Sequence, residues 1–170
     1  MKGKGRFVLK YTWVIILLPS ILYLFATPHL SSIHPSPFTL HQENDSLYWL
    51  NEWRLPYPVY RFCTGDVDGD GSIDAMVGVV KKTRFHREIG RRIFIFKQVD
   101  GKVRPLWLGS RLGATLVDFR FVNGCVRALE TDGKGKYGVT DYCWNDFGMT
   151  FERFIIKNTD QETALKYFDL

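Results

Sequence analysis

Four carboxylates and one hydroxyl residue stand at alternate positions in a single short stretch of this 170-residue chain, Asp66-Val67-Asp68-Gly69-Asp70-Gly71-Ser72-Ile73-Asp74. Acidic residues at the first, third, fifth and ninth places, with a glycine at the sixth to turn the backbone, converge hard oxygen ligands on one point. That donor set suits calcium. Asp66, Asp68 and Asp70 would supply side-chain oxygens, Ser72 its backbone carbonyl, and Asp74 the closing carboxylate, directly or through water. Carboxylates this close repel one another, so a cation or strong screening is electrostatically required. The plainer alternative is an acidic, solvent-exposed turn that holds no ion.

Two other uses of these residues fit less well. An EF-hand wants a bidentate Glu at the twelfth place, where Val77 stands, and helices on both flanks. Asp66-Val67-Asp68-Gly69 also matches a phosphatase-type Asp-x-Asp-Gly, but Asp70 occupies the place where a hydroxyl is wanted, and no βαβ pattern surrounds it. Elsewhere His29, His34, His41 and His86 form no metal-ligand spacing, no serine has the Gly-x-Ser-x-Gly context, and no Cys-x-x-Cys occurs. No enzyme is expected. A metal-dependent hydrolase using the Asp66 to Asp74 carboxylates is the competing reading.

The longer run Phe62-Cys63-Thr64-Gly65-Asp66-Val67-Asp68-Gly69-Asp70-Gly71-Ser72-Ile73-Asp74-Ala75-Met76-Val77-Gly78 resembles the calcium-loop segment of FG-GAP repeats, also called VCBS-like repeats, of integrin α-chain propellers and many exported bacterial proteins. The resemblance covers about a tenth of the chain. It implies a loop that joins two strands of a blade, an ion that holds the turn, and ligands at Asp66, Asp68, Asp70, Ser72 and Asp74. A closed propeller needs four or more blades, and the strands here suffice for about two. A second stretch, Glu130-Thr131-Asp132-Gly133-Lys134-Gly135-Lys136, echoes the first, but Lys134 stands where Asp70 does and no second metal is assigned.

The elements around the loop read as extended. Aromatic residues make up 15% of the chain, and bulky rings pack well on a pleated surface. Short apolar runs punctuated by turn residues predict strands at Val59 to Thr64, Asp74 to Val80, Arg92 to Gln98, Val103 to Leu108, Ala114 to Phe121, Cys125 to Glu130, Tyr137 to Trp144 and Met149 to Ile156. Asp70-Gly71, Asp100-Gly101, Asn123-Gly124 and Asp132-Gly133 suit two-residue hairpin turns. Leu47 to Leu55 is ambiguous between helix and strand, and Asp160 to Leu170 suits a short helix with Leu165 and Phe168 on one face. The expected fold is all-β, of antiparallel hairpins, propeller-blade-like, preceded by an N-terminal membrane helix or signal peptide.

That leader is residues 1–26: a basic start with Lys2, Lys4, Arg6 and Lys10, then an apolar stretch to Ala26. A positive flank ahead of an apolar run keeps the amino terminus in the cytoplasm and sends the downstream chain across the membrane. Pro19 and the short run favour a cleavable signal, whereas bulky Leu24 favours an uncleaved anchor. Residues 27–46, rich in Pro, Ser and His, read as a linker, 47–160 as the β domain and 161–170 as a tail. The expected localisation is therefore anchored facing the periplasm, or secreted to the periplasmic or extracellular side. Export permits disulfides; Cys125 and Cys143 suit a cross-strand bridge, although buried unpaired thiols are the preferred reading for Cys63, Cys125 and Cys143.

The charge of +5 would suit a nucleic-acid binder. Subtracting the four leader cations leaves +1 for the rest of the chain, so no nucleic acid is expected. Ten basic residues crowd Lys81 to Arg111 against Glu88 and Asp100, a patch for an anionic glycan or lipid headgroups, or more simply a solvated face. Trp107, Tyr142, Trp144, Phe147 and Phe151 would make a stacking platform for sugars if exposed, and core if they alternate inward, which is preferred. The function expected is a calcium-stabilised binding or scaffolding module of the bacterial cell envelope, with the membrane, an envelope protein or an anionic glycan as partner. A fragment that completes its sheet by self-association or by pairing with another protein is a further alternative.

Overall fold

Strand β5, Asp74–Lys81, is apolar on both faces, and this decides the architecture. A strand with one wet face alternates apolar and polar residues; one covered on both sides reads as a continuous run. Ala75, Val77 and Val79 enter one core and Met76 enters another, all four fully buried. The computed structural model describes residues 36–84, 86–109 and 111–170, and in it β5 is an inner strand of a four-stranded antiparallel sheet, β4 (Val59–Gly65), β5, β6 (Gly90–Val99) and β7 (Lys102–Leu108).

On one side of that sheet lies a three-stranded meander, β1 (Leu40–Asn44), β2 (Leu47–Leu50) and β3 (Trp53–Leu55). Leu50, Leu55 and Phe38 pack there with Val77, Phe94 and Phe96. On the other side lies a second four-stranded meander, β8 (Thr115–Val122), β9 (Cys125–Thr131), β10 (Tyr137–Asn145) and β11 (Gly148–Thr159). Met76, Ile93 and Ile95 of the first sheet meet Leu116, Phe119 and Val126 of the second. Helix α1, Gln161–Asp169, covers the far face of the second sheet, with Ala164 and Phe168 against Leu129 and Val139. Fully burying each such aliphatic side chain contributes about 1.5–3 kcal/mol. The described residues are thus mostly β, in three antiparallel sheets, and none of these closes into a barrel or completes a propeller.

Several expectations need correction. The stretch 27–46 does not end as linker, because Leu40–Asn44 is a strand and Phe38 is 4% exposed in the core. Leu47 to Leu55 is two strands, with Asn51 at positive φ in the turn between them. The tail at 161–170 does form the expected short helix, capped by Asp160, which accepts from the Thr163 amide at 2.9 Å, but its buried face differs from the one expected. The helix's inner face carries Ala164 and Phe168, one turn apart, while Leu165 is 39% exposed. Asp100-Gly101 and Asn123-Gly124 do make two-residue turns with both residues at positive φ, whereas Asp70-Gly71 and Asp132-Gly133 lie inside longer loops.

Cys125 and Cys143 are disulfide-bonded, against the preferred reading of unpaired thiols. They face each other directly across β9 and β10 with Cα atoms 4.4 Å apart, the close spacing of a non-hydrogen-bonded antiparallel pair. Cys63 is the free thiol. The leader at 1–26 lies outside the described residues; among those described, no helix is long and apolar enough to cross a membrane.

Candidate metal centre

The acidic loop joins β4 to β5, and both of its ends are held by packing. Gly65, the last residue of β4, lies against the ring of Phe121 from the second sheet, so close that a Cβ there would come within 2.2 Å of it. Val67 is 3% exposed and belongs to the core between the two four-stranded sheets. Asp74, the first residue of β5, is fully buried and pairs with Gly65 across the ladder. A carboxylate is placed inside because the strand that carries it is inside.

Hydrogen bonds then shape the loop. The Val67 amide donates to Asp74 Oδ2 at 3.0 Å, the Gly71 amide to Asp66 Oδ2 at 2.9 Å, and the Ser72 amide to Asp70 Oδ1 at 2.8 Å. Gly69 and Gly71 adopt positive φ, which lets the chain fold back around its own carboxylates. One oxygen each of Asp66, Asp68 and Asp74 lies within 4.8 Å of the others. In each of these three residues Oδ1 is buried without a hydrogen-bond partner. Oxygens that share a calcium at 2.3–2.6 Å lie no more than about 5 Å apart, so the triad fits one hard cation.

Electrostatics point the same way. Burial pushes the Asp74 carboxyl up to about 6, and the neighbouring Asp68 charge adds to the rise against the Val67 hydrogen bond. Buried acceptors left without donors are costly, and a divalent ion would satisfy all three at once.

The structure divides the five residues expected from sequence. Asp66, Asp68 and Asp74 come together, while Asp70 turns to Lys97, whose Nζ donates to Asp70 Oδ2 at 2.6 Å and Asp68 Oδ2 at 2.5 Å. The Lys97 hydrogen bond, followed by that of Ser72, holds the Asp70 carboxyl below its usual range. Ser72 is exposed. Lys97 itself is held well above the ordinary lysine range by its bonds to Asp68 and Asp70. Sequence reasoning missed Lys97 because its link to the loop is made by sheet register: Ala75 on β5 faces Phe96 on β6, which brings the next residue of β6 level with the loop.

No family model, curated protein or solved structure matches this chain.

The second acidic stretch is a hairpin connection between β9 and β10, closed by Asp132, whose Oδ1 accepts from the Lys134 and Lys136 amides. It joins the second and third strands of its sheet, whereas Asp66 to Asp74 joins the first and second of the other. The two loops therefore do not occupy equivalent places.

The basic and aromatic residues are also sorted by the fold. Lys97 serves the acidic loop, and Lys81 Nζ lies 4.1 Å from the Tyr57 ring centroid. Arg87, Arg91, Arg92 and Arg111, with Glu88 among them, line one groove of about 380 Å³. Tyr142 is core, and Trp107 and Trp144 pack against it in part, while Phe147, Phe151 and Phe154 are exposed.

Proposed function

We propose that this protein is an exported or membrane-anchored, calcium-stabilised binding or scaffolding module in which the Asp66, Asp68 and Asp74 carboxylates hold one ion that closes the β4–β5 connection. The observation that carries this is the trio of buried Oδ1 atoms without hydrogen-bond partners, gathered on one loop. Calcium is favoured among hard cations because it accepts irregular oxygen sets, including backbone carbonyls and water, whereas magnesium demands near-octahedral geometry. The loop matches the FG-GAP or VCBS-like pattern in residue types, and its position between adjacent strands of a four-stranded meander suits a propeller-blade-like role.

The ion is a staple rather than a reagent in this reading. Asp70, the residue standing where phosphatase chemistry wants a hydroxyl, is neutralised by Lys97. Export is supported by the basic and apolar leader at residues 1–26 and by the Cys125–Cys143 disulfide, a bond that persists in oxidising compartments.

Thermal melting of the full chain with chelator and with millimolar calcium tests the proposal. For the weak affinity usual in extracellular modules, about 10⁻⁴ M, calcium raises stability by roughly 1 to 2 kcal/mol. The Asp74→Asn variant keeps an acceptor for the Val67 amide and loses the calcium-dependent gain. A melting temperature indifferent to calcium and chelator in the parent protein overturns the reading.

A further inference from the structure

A cleft of about 450 Å³ opens between the two four-stranded sheets, lined by Trp107 at the end of β7, Arg111 in the β7–β8 connection, Glu130 and Tyr142 on β9 and β10, and Phe151 and Phe154 on β11. Its size is that of a ligand site, and its walls are apolar with a few convergent polar groups. Phe151 and Phe154 are each 53% exposed, with ring centroids 4.9 Å apart. Phe151 also meets the core ring of Tyr142 edge-on at 6.4 Å, and a pair of large rings left half exposed is a feature to explain.

The floor of the cleft is polar and built. Glu130 is 5% exposed, and its Oε1 accepts from the Ala114 amide at 2.8 Å. The Tyr142 hydroxyl lies 3.2 and 3.1 Å from the two Glu130 oxygens and accepts from the Gly113 amide at 2.9 Å. A Cβ on Gly113 would come within 2.8 Å of that hydroxyl, so a larger residue there would push the hydroxyl from its place on the floor. These bonds fix the β7–β8 connection over the second sheet and place Arg111 at the edge of the cleft.

From Arg111 and Ala114 the surface continues into the groove that Arg87, Glu88, Arg91 and Arg92 line, where Arg91 donates to the Val117 carbonyl and lies over the Tyr60 ring and Arg92 donates to the Arg91 carbonyl. An aromatic half and a half in which four arginines outnumber the single Glu88 carboxylate thus share one wall. We infer that this continuous groove binds an acidic oligosaccharide: sugar rings lay their apolar C–H faces on Phe151, Phe154 and Trp107, and their carboxylate or sulfate groups pair with the exposed Arg111 and Arg87. Guanidinium groups suit planar carboxylates by paired N–H donors. An anionic polymer matches the length of two joined openings better than a single small molecule does. Single-stranded nucleic acid also combines rings and charge, but the disulfide on the adjoining strands favours a ligand met in an oxidising compartment.

This inference rests on the binding-module reading above, and its test separates the two. Full-length protein is titrated calorimetrically in millimolar calcium with a hyaluronan hexasaccharide and a chondroitin sulfate hexasaccharide, and with neutral cellohexaose and the oligonucleotide dT6 as comparisons. An acidic hexasaccharide is expected to bind saturably and to weaken with salt. Phe151→Ala and Arg111→Ala are expected to weaken it about tenfold each while leaving the calcium-dependent gain in melting temperature unchanged. No saturable binding to either acidic hexasaccharide overturns the inference, as does binding that neither substitution alters. Tighter binding of dT6 overturns it in favour of nucleic acid, and tighter binding of cellohexaose in favour of a neutral glycan. A calcium-dependent melt without glycan binding removes only this inference; glycan binding with a calcium-indifferent melt removes only the calcium staple.

Discussion

Lys97 Nζ lies 2.5 Å from Asp68 Oδ2 although 29 residues separate them in the chain. The ion pair ties the acidic loop to β6, the strand beyond β5, and it supplies one of the positive charges that the carboxylate cluster needs. It also leaves the cluster short of neutrality, since among the described residues Lys97 pairs with Asp68 and Asp70 while Asp66 and Asp74 are in no ion pair.

Replacing this lysine separates its two roles. The Lys97→Met variant is expected to melt several degrees lower than the parent in chelator, because Asp68 and Asp70 lose their only shared cation among the described residues. Its calcium midpoint is expected at a lower concentration, since one fewer positive charge repels the ion. Calcium titrations followed by melting read both, and a parent-like midpoint would show that Lys97 and the ion do not feel each other.

The Cys125–Cys143 bridge closes a sequence separation of 18 residues. Closing a loop of about this size removes roughly 3 kcal/mol of unfolded-state freedom in the chain-entropy account. The Cys143→Ser variant is expected to lose about that much in urea unfolding, and reducing agent is expected to lower the parent to the same level while leaving the variant unmoved.

Arg127 and Asp141 form a buried ion pair between β9 and β10, at 2.9 Å and with side chains 8% and 5% exposed, and Arg153 donates two further hydrogen bonds to Asp141 Oδ2 from the surface. Asp141→Ala leaves the Arg127 guanidinium buried without its counter-ion, a loss of about 3–5 kcal/mol. The double change Arg127→Met with Asp141→Leu is expected to recover most of it. Equal unfolding midpoints for the parent and Asp141→Ala would contradict this assignment.

Cys63 titrates late. Burial pushes its thiol up to about 11 from an ordinary 9.0, against a smaller opposing effect from its hydrogen bond with the Phe121 backbone. The unfolded chain therefore releases this proton before the folded one does, so the contribution to stability is complete below pH 9 and is lost as pH rises towards 11. The parent is expected to lose more stability than Cys63→Ala across that window. Alkylation of native Cys63 at pH 8 is expected to be slower than that of a free cysteine, because the thiolate is the reacting form.

Local patterning made most of the second half of the molecule legible. The eight strands expected from Val59 onward correspond to β4 through β11, because apolar alternation and Asp-Gly or Asn-Gly turns are properties of neighbouring residues. The carboxylate set was also visible, since the spacing of Asp66, Asp68 and Asp74 is written in consecutive residues. Leu47 to Leu55 was not decided by its own pattern; packing of Leu50 and Leu55 on the face of β5 and β6 made it two strands.

What the tertiary structure alone decided depends on residues distant in the chain. Register between β5 and β6 brought Lys97 to the loop and turned Asp70 away from the triad; register between β9 and β10 put Cys125 opposite Cys143. Stacking of the two four-stranded sheets buried Asp74 and joined aromatic and basic residues along one groove. Residue types and their spacing along the chain determine which chemistry is on offer, because they are local. Which groups meet, and which oxygens are left without donors, is set by how sheets pair and stack, and that is a property of the whole fold.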